Sequence, residues 1–399
     1  MSIGTHTSPR QAVPLWRDVR VLRIFSQFIF VLALALVAAF LYANLTRALA
    51  ERGMSAGFGF LRLEAGFEIG EEAIPYTPAD SYGRAFLVGV LNTLIISAWG
   101  IVLATILGVV AGVARLSTNW LVNRIALVYI EIMRNTPLLV QLFFWYFVGM
   151  VQGPNIQDSL TLPGPIYVSN RGVALPWAYP SASYGPWPLF LVAGVALGTG
   201  VYFVLRRLER RSGPLSYPFL MGLATFAGLA VLGFLAIWLA TGQPPLAWQT
   251  PELLRFGYQG GRLLSPEFAA LLIGLVVYTG AFIAEVVRGG IQAVQRGQRE
   301  AARALGLTNM QVLRLVILPQ AMRVIVPPLT SQYLNLAKNS SLAVAIGYPD
   351  LYSVSNIIMN QGGQPLAMLL MIMTSYLIMS LATSLFMNWY NRRVQFVER

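Results

Sequence analysis

The stretch Glu300-Ala301-Ala302-Arg303-Ala304-Leu305-Gly306-Leu307-Thr308-Asn309-Met310-Gln311-Val312-Leu313-Arg314-Leu315-Val316-Ile317-Leu318-Pro319 is basic and patterned like helices rather than like a connector. Residues 291–305 read as one helix. Gly306 then ends a turn, where a Cβ would be strained. Thr308 with Gln311 makes a capping box for a second helix, which Pro319 interrupts. Apolar runs flank the stretch at 266–287 and 326–346, each long enough to cross a bilayer. The segment therefore joins two membrane spans. It offers either a rigid surface to a soluble partner or an amphipathic pair of helices lying on the membrane.

The rest of the chain agrees with a membrane setting. Of 399 residues, 56% are hydrophobic and 11% charged, against about 25% charged in soluble domains. Mean hydropathy is +0.62. Eight apolar segments, near 25–44, 85–114, 125–150, 188–205, 218–240, 266–287, 326–346 and 366–388, suit helices, because a span must satisfy its own backbone hydrogen bonds. The expected fold class is an all-α integral membrane protein of about eight transmembrane helices. Residues 25–44 lack a cleavage-site pattern and read as a retained span, not a signal peptide.

With both termini cytoplasmic, nineteen arginines fall inside and seven outside. The inside set includes Arg10, Arg17, Arg20 and Arg23, the group Arg206, Arg207, Arg210 and Arg211, six in 288–325, and Arg392, Arg393 and Arg399. Basic residues held on the cytoplasmic side set this orientation and explain the net charge of +12 without nucleic acid. The absence of cysteine excludes disulfides and thiolate sites. The single histidine, His6, lies in a polar tail, so a His-ligated metal or a Ser-His-Asp triad within the membrane is excluded.

Two outer loops are long. Residues 45–83 are acidic, and 151–187 are rich in Pro, Tyr and Trp. The second either lies against the outer interface, where Trp and Tyr sit well, or is an unstructured connector.

At 300–319 the chain resembles the type I ABC importer permeases. Their signature is Glu-Ala-Ala, three residues, Gly, nine residues, Ile, one residue, Leu-Pro. Here it reads Glu300, Ala301, Ala302, Gly306, Val316, Leu318 and Pro319, with Val in place of Ile. Other segments resemble the polar amino-acid branch: Arg134-Asn135-Thr136-Pro137-Leu138-Leu139-Val140-Gln141, Tyr278-Thr279-Gly280-Ala281, Glu285 to Gly290, Gly297-Gln298, and Lys338-Asn339-Ser340-Ser341-Leu342. Ser340 stands where most members have Thr, and Asn339 where many have Asp.

The resemblance implies a five-helix permease core, in parts at 84–150 and 266–399. Residues 1–83 would hold the tail, an extra first span and a periplasmic loop. Residues 151–265 would be an insert with two extra spans, and 288–325 the coupling loop. This long form is similar to the larger permease subunits of general L-amino-acid importers. It further implies separate ATP-binding subunits that hold the ATP and Mg, a periplasmic substrate-binding protein, a second related permease, an amino-acid substrate and a bacterial inner membrane. No cofactor is expected on this chain. A P-loop needs a lysine in a glycine-rich approach, and the only lysine, Lys338, has none. By the family's logic the helix with Ala301, Ala302 and Ala304 docks in a groove of the ATPase. Glu300 either pairs with a basic group or caps its own helix.

Glu131, Arg134, Glu285 and Lys338 are the ionisable residues in or near spans. The first three fall near cytoplasmic ends, where snorkelling or mutual pairing accounts for them. Lys338 lies eleven residues past Pro327, roughly 16 Å along a helix. A lysine at mid-membrane costs on the order of 3 kcal/mol unless it faces protein or water. Ser331, Gln332, Asn335, Lys338 and Asn339 share its helical face. This stripe either lines a translocation pathway, with Gln141 as a neighbour, or is a polar network joining helices. A secondary transporter or channel would instead predict internal repeats and a midplane carboxylate. An enzyme would need catalytic groups that this composition largely withholds.

Overall fold

The computed structural model describes residues 19–51, 57–212, 217–255 and 257–394. The N-terminal tail with His6, Arg10 and Arg17 lies outside them, as do Arg52 and Arg399. Among the described residues seven helices are long and apolar enough to cross a membrane, or eight if a sharply bent pair counts as one span. The architecture is that of a helical membrane protein.

Helix α1 (Val19–Glu51) is exposed along its apolar stretch. The core is built on α2 (Tyr82–Ala114), whose first turn is capped by Ser81, the side chain accepting the Arg84 N–H. A chain turn leads into α3 (Trp120–Asn135) and α4 (Leu138–Phe143), which continues as a π-helical stretch to Val151. Residues 125–150 are thus not the one straight helix expected, although the bent pair together is long and apolar enough for a span. The chain bends by 108° between α3 and α4. Pro137 supplies no N–H and drives Thr136 into an extended conformation (φ −103°, ψ 128°), which ends α3.

The loop at 151–187 is neither a bare connector nor a purely interfacial coil. It forms β1 (Leu160–Leu162), β2 (Ile166–Ser169), β3 (Gly172–Leu175) and β4 (Trp177–Pro180). Helices α5 (Trp187–Ser212) and α6 (Pro218–Thr241) follow. After them come β5 (Leu246–Gln249), β6 (Glu252–Leu253), β7 (Tyr258–Gln259) and β8 (Arg262–Leu264). All pairings are antiparallel: β1-β2-β3-β8 form one sheet, β4 pairs β5 and β6 pairs β7. The all-α expectation missed this small layer because its strands are two to four residues long. Two of the pairings, β3 with β8 and β4 with β5, cross a gap that contains two helices, so no local pattern marks them.

Helix α7 (Pro266–Gln292) crosses α2 closely and supplies the centre of the core, with Leu271, Leu275 and Ile283 fully buried. Small residues permit the approach. A Cβ on Gly108 would lie 2.5 Å from Ile283 Cγ2, and one on Gly112 2.6 Å from the Ala284 carbonyl oxygen. Next come α8 (Arg296–Ala304), α9 (Asn309–Gln311), α10 (Leu318–Asn339), α11 (Leu351–Gly362) and α12 (Pro365–Val394). On the α2 N-terminal side, Phe60, Ile69 and Tyr76 from the preceding loop pack with Val354, Ile358 and Met368.

Candidate coupling hairpin and polar face

The hairpin between α7 and α10 differs in detail from its sequence reading. Residues 291–305 are not one helix: α7 runs to Gln292 and α8 begins at Arg296. Gly306 takes φ +79°, the left-handed region that glycine enters without strain. The capping box is present, Thr308 Oγ1 accepting the Gln311 N–H at 3.4 Å and Gln311 Oε1 accepting the Thr308 N–H at 2.8 Å. Pro319 does not interrupt the second helix. It stands at the second residue of α10. The turn before it, Val312–Ile317, widens to π geometry. The helix therefore runs unbroken from Asn309 to Ile346, 38 residues.

Ala302 and Val312 are buried where the two arms meet. Glu300, Ala301, Ala304 and Gly306 are exposed, and Leu318 and Pro319 sit at the base of α10. Leu305 is 82% and Met310 70% exposed, large apolar side chains displayed on a basic hairpin. At the hairpin's root, a Cβ on Gly290 would lie 2.3 Å from Ile325 Cγ1, so α7 and α10 are in tight contact there.

Along α10, Ile325, Val326, Leu329 and Leu336 face the core, and Tyr333 shares a 2.9 Å hydrogen bond with Thr105 of α2. The opposite face carries Ser331, Asn335 and Lys338 exposed, with Gln332 and Asn339 half-buried. Lys338 makes no ion pair with a described residue. It lies in the last turn of α10, where its charge favours the helix dipole. The segment Ser340–Ile346 then tightens to 3-10 geometry, so 326–346 is not one uniform α-helix.

Gln141 is not on this face. It is buried, and its Nε2 donates to the carbonyls of Met133 (2.9 Å) and Thr136 (3.0 Å). Those oxygens are orphans of the α3 C-terminus, so Gln141 closes the break beside Pro137. The charges near the spans pair otherwise than expected. Glu285 binds Arg288 one turn on, through a 3.0 Å Nε–Oε2 contact and a second, shorter one. Arg134 stacks over Phe282 at 5.5 Å, and Glu131 accepts from Asn135 at 3.1 Å.

Sequence reasoning passed over Asp350, which is fully buried. Its Oδ1 accepts the Ser353 N–H at 2.8 Å, capping α11, and Tyr376 of α12 donates to Oδ2 at 3.4 Å. The Pro349-Asp350 pair before an apolar run was the available signal. Burial pushes this carboxyl up to about 6 from an ordinary 3.8, against the pull of the Ser353 amide. The folded state therefore binds the proton more tightly than the unfolded one. The resulting stability is fully present below 3.8 and is lost as pH rises through about 6. Thermal unfolding of the purified protein should show the chain gaining about 2 kcal/mol from this group between pH 7 and 4. Asp350→Asn keeps the cap and should erase that part of the pH dependence.

Residues 219–396 match the family described as binding-protein-dependent transport system inner membrane component. The chain is 45% identical, over 94% of its length and 94% of the relative's, to the putative amino-acid ABC transporter permease protein YhdX of Escherichia coli strain K12. The chain belongs to the amino-acid ABC transporter permeases. It is 41% identical to the general L-amino acid transport system permease protein AapQ of Rhizobium johnstonii, covering 99% of this chain and 97% of that one. The glutamate/glutamine/aspartate/asparagine transport system permease protein BztB of Rhodobacter capsulatus is 38% identical over 96% of each. The permease is thus a multi-pass inner-membrane subunit of an ATP-driven importer. It does not hydrolyse ATP itself; that step belongs to a separate ATPase subunit, and a substrate-binding protein serves the assembly.

Proposed function

We propose that this permease carries amino acids along a path lined by the polar face of α10, as one half of a pair with a second related permease. One observation carries the reading: the helix that begins in the hairpin at Asn309 continues without a break to the turn bearing Lys338 and on to Ile346. A rod of 38 residues is about 55 Å long. Force applied at Met310, in the first turn of this helix, is transmitted along it, past Pro327 and Pro328, to Lys338.

Partner ATPases hold ATP and Mg and close on nucleotide. The hairpins follow, α10 turns, and the path opens toward the periplasm, where the binding protein releases its ligand. Hydrolysis resets it. The relatives' names share one substrate chemistry, the α-amino acid. Every such molecule carries a carboxylate that an ammonium among amides attracts. The exposure of this face within the chain supports a path over a network joining helices of the same chain. Residues 151–265 act as an insert in the permease core.

Both termini lie in the cytoplasm in this reading. The chain has no cysteine, so single-cysteine labelling is clean. Gln298→Cys should react with a membrane-impermeant maleimide only in inside-out vesicles, and Ser159→Cys only in intact spheroplasts. The reverse pattern would overturn the orientation and the coupling role together. Co-purification of an ATPase with the labelled protein tests the partner independently.

A further inference from the structure

We propose that the cleft between α5, α6 and the end of α12 binds one anionic phospholipid. The cleft measures about 490 Å³ and is walled by Val195, Phe203, Phe219, Leu223, Phe226 and Trp389. Arg206 closes one end of it, beside Tyr202.

Three observations point to a lipid. The first is packing. Helices α5 and α6 meet backbone to backbone, since a Cβ on Gly198 would lie 2.5 Å from the Gly222 carbonyl oxygen. Among the described elements neither helix shares a broad face with the core helices. The cleft walls stay open, Phe219 being 61% and Trp389 49% exposed. In a bilayer such a gap fills with acyl chain, because neither water nor a void satisfies it.

The second is length. From Gly194 to Arg206 is twelve residues, about 18 Å of helix. That is close to half of a hydrocarbon core of about 30 Å, the depth of one leaflet. The third is charge. Arg206 and Arg207 are exposed, and neither makes an ion pair with a described residue. Tyr202 holds the Arg206 guanidinium, its hydroxyl accepting from Nη1 at 2.9 Å with the ring 5.8 Å away. A guanidinium held at the leaflet boundary suits a phosphate bidentately. Arg210 and Arg211 follow in the chain, and the nearby acid Glu209 offsets only one of these charges. The net basic end selects an anionic headgroup over a zwitterionic one. A lipid here fills the space between the α5–α6 hairpin and α12.

The test uses the assembled importer in vesicles of phosphatidylcholine with an equal small fraction of dibromo-phosphatidylglycerol or dibromo-phosphatidylcholine. Bromine on the acyl chains quenches nearby tryptophan. The Trp389 contribution is the difference between the natural protein and Trp389→Phe. It should be quenched preferentially by the anionic lipid. Arg206→Gln and Arg207→Gln should each lower that preference roughly fivefold. Arg23→Gln, a basic residue on α1, should leave it unchanged. Equal quenching by both lipids overturns the proposal, as does a preference that survives the double arginine variant. No quenching in the assembled importer also overturns it, because a protein partner then covers the cleft. Unchanged thermal unfolding of the variants confirms that these surface changes leave the fold intact.

Discussion

Exchanging Lys338 for Met is expected to lower amino-acid uptake roughly 10- to 100-fold in the assembled importer, the range of one charge-assisted hydrogen bond. Expression, ATPase association and thermal stability should stay close to those of the natural protein. Lys338 is exposed on the chain and makes no ion pair with a described residue, so its removal strands no buried carboxylate. A methionine keeps the stem and removes the charge. If the ammonium meets the substrate carboxylate, the loss appears in uptake. Lys338→Arg, which keeps the charge on a different geometry, should recover part of it. Normal uptake by Lys338→Met at matched expression would remove this residue from the path. A loss of folded protein would instead assign it to the joining of permease subunits.

The second large effect belongs to the hairpin. Leu305→Asp should weaken association with the ATPase by at least 30-fold, since burying an unpaired carboxylate in an apolar contact costs upward of about 2 kcal/mol. Leu305 is exposed and touches none of the core that holds the spans, so the permease itself should remain folded. Pull-down of the ATPase on tagged permease measures the first expectation, and thermal unfolding the second. Retained association at natural strength would move the docking surface away from Leu305. The same change at Ala302, which is buried between the hairpin arms, would confuse docking with folding and makes a poorer test.

Much of this was legible in one dimension because its causes are local. A run of apolar residues long enough to cross a bilayer has few alternatives to a helix. The turn at Gly306 and the capping box at Thr308 and Gln311 depend on residues within one helical turn of each other, and both appear in the structure. The polar face of α10 follows from helical period alone, and Ser331, Asn335 and Lys338 do share an exposed side.

The misreadings have identifiable physical causes. Pro137 is visible in the sequence, but the apolar composition of 125–150 hides the 108° bend it introduces. Pro319 reads as a break because a proline inside a helix usually removes a hydrogen bond. Here a π-helical stretch, Val312–Ile317, leads directly into the proline and the helix continues. Residue type suggests Gln141 for the pathway, but its amide is spent on two carbonyls that only the break exposes.

The amino-acid order by itself determined that this chain lives in a bilayer, where its spans lie, and that a capped, glycine-turned hairpin joins two of them. Those outcomes rest on interactions between residues a turn or a span apart. The three-dimensional arrangement alone decided that β3 pairs with β8 across α5 and α6 and that Asp350 reaches Tyr376 of α12. Each depends on which partner is nearest once helices have packed, and side-chain distance in space is not a function of separation along the chain.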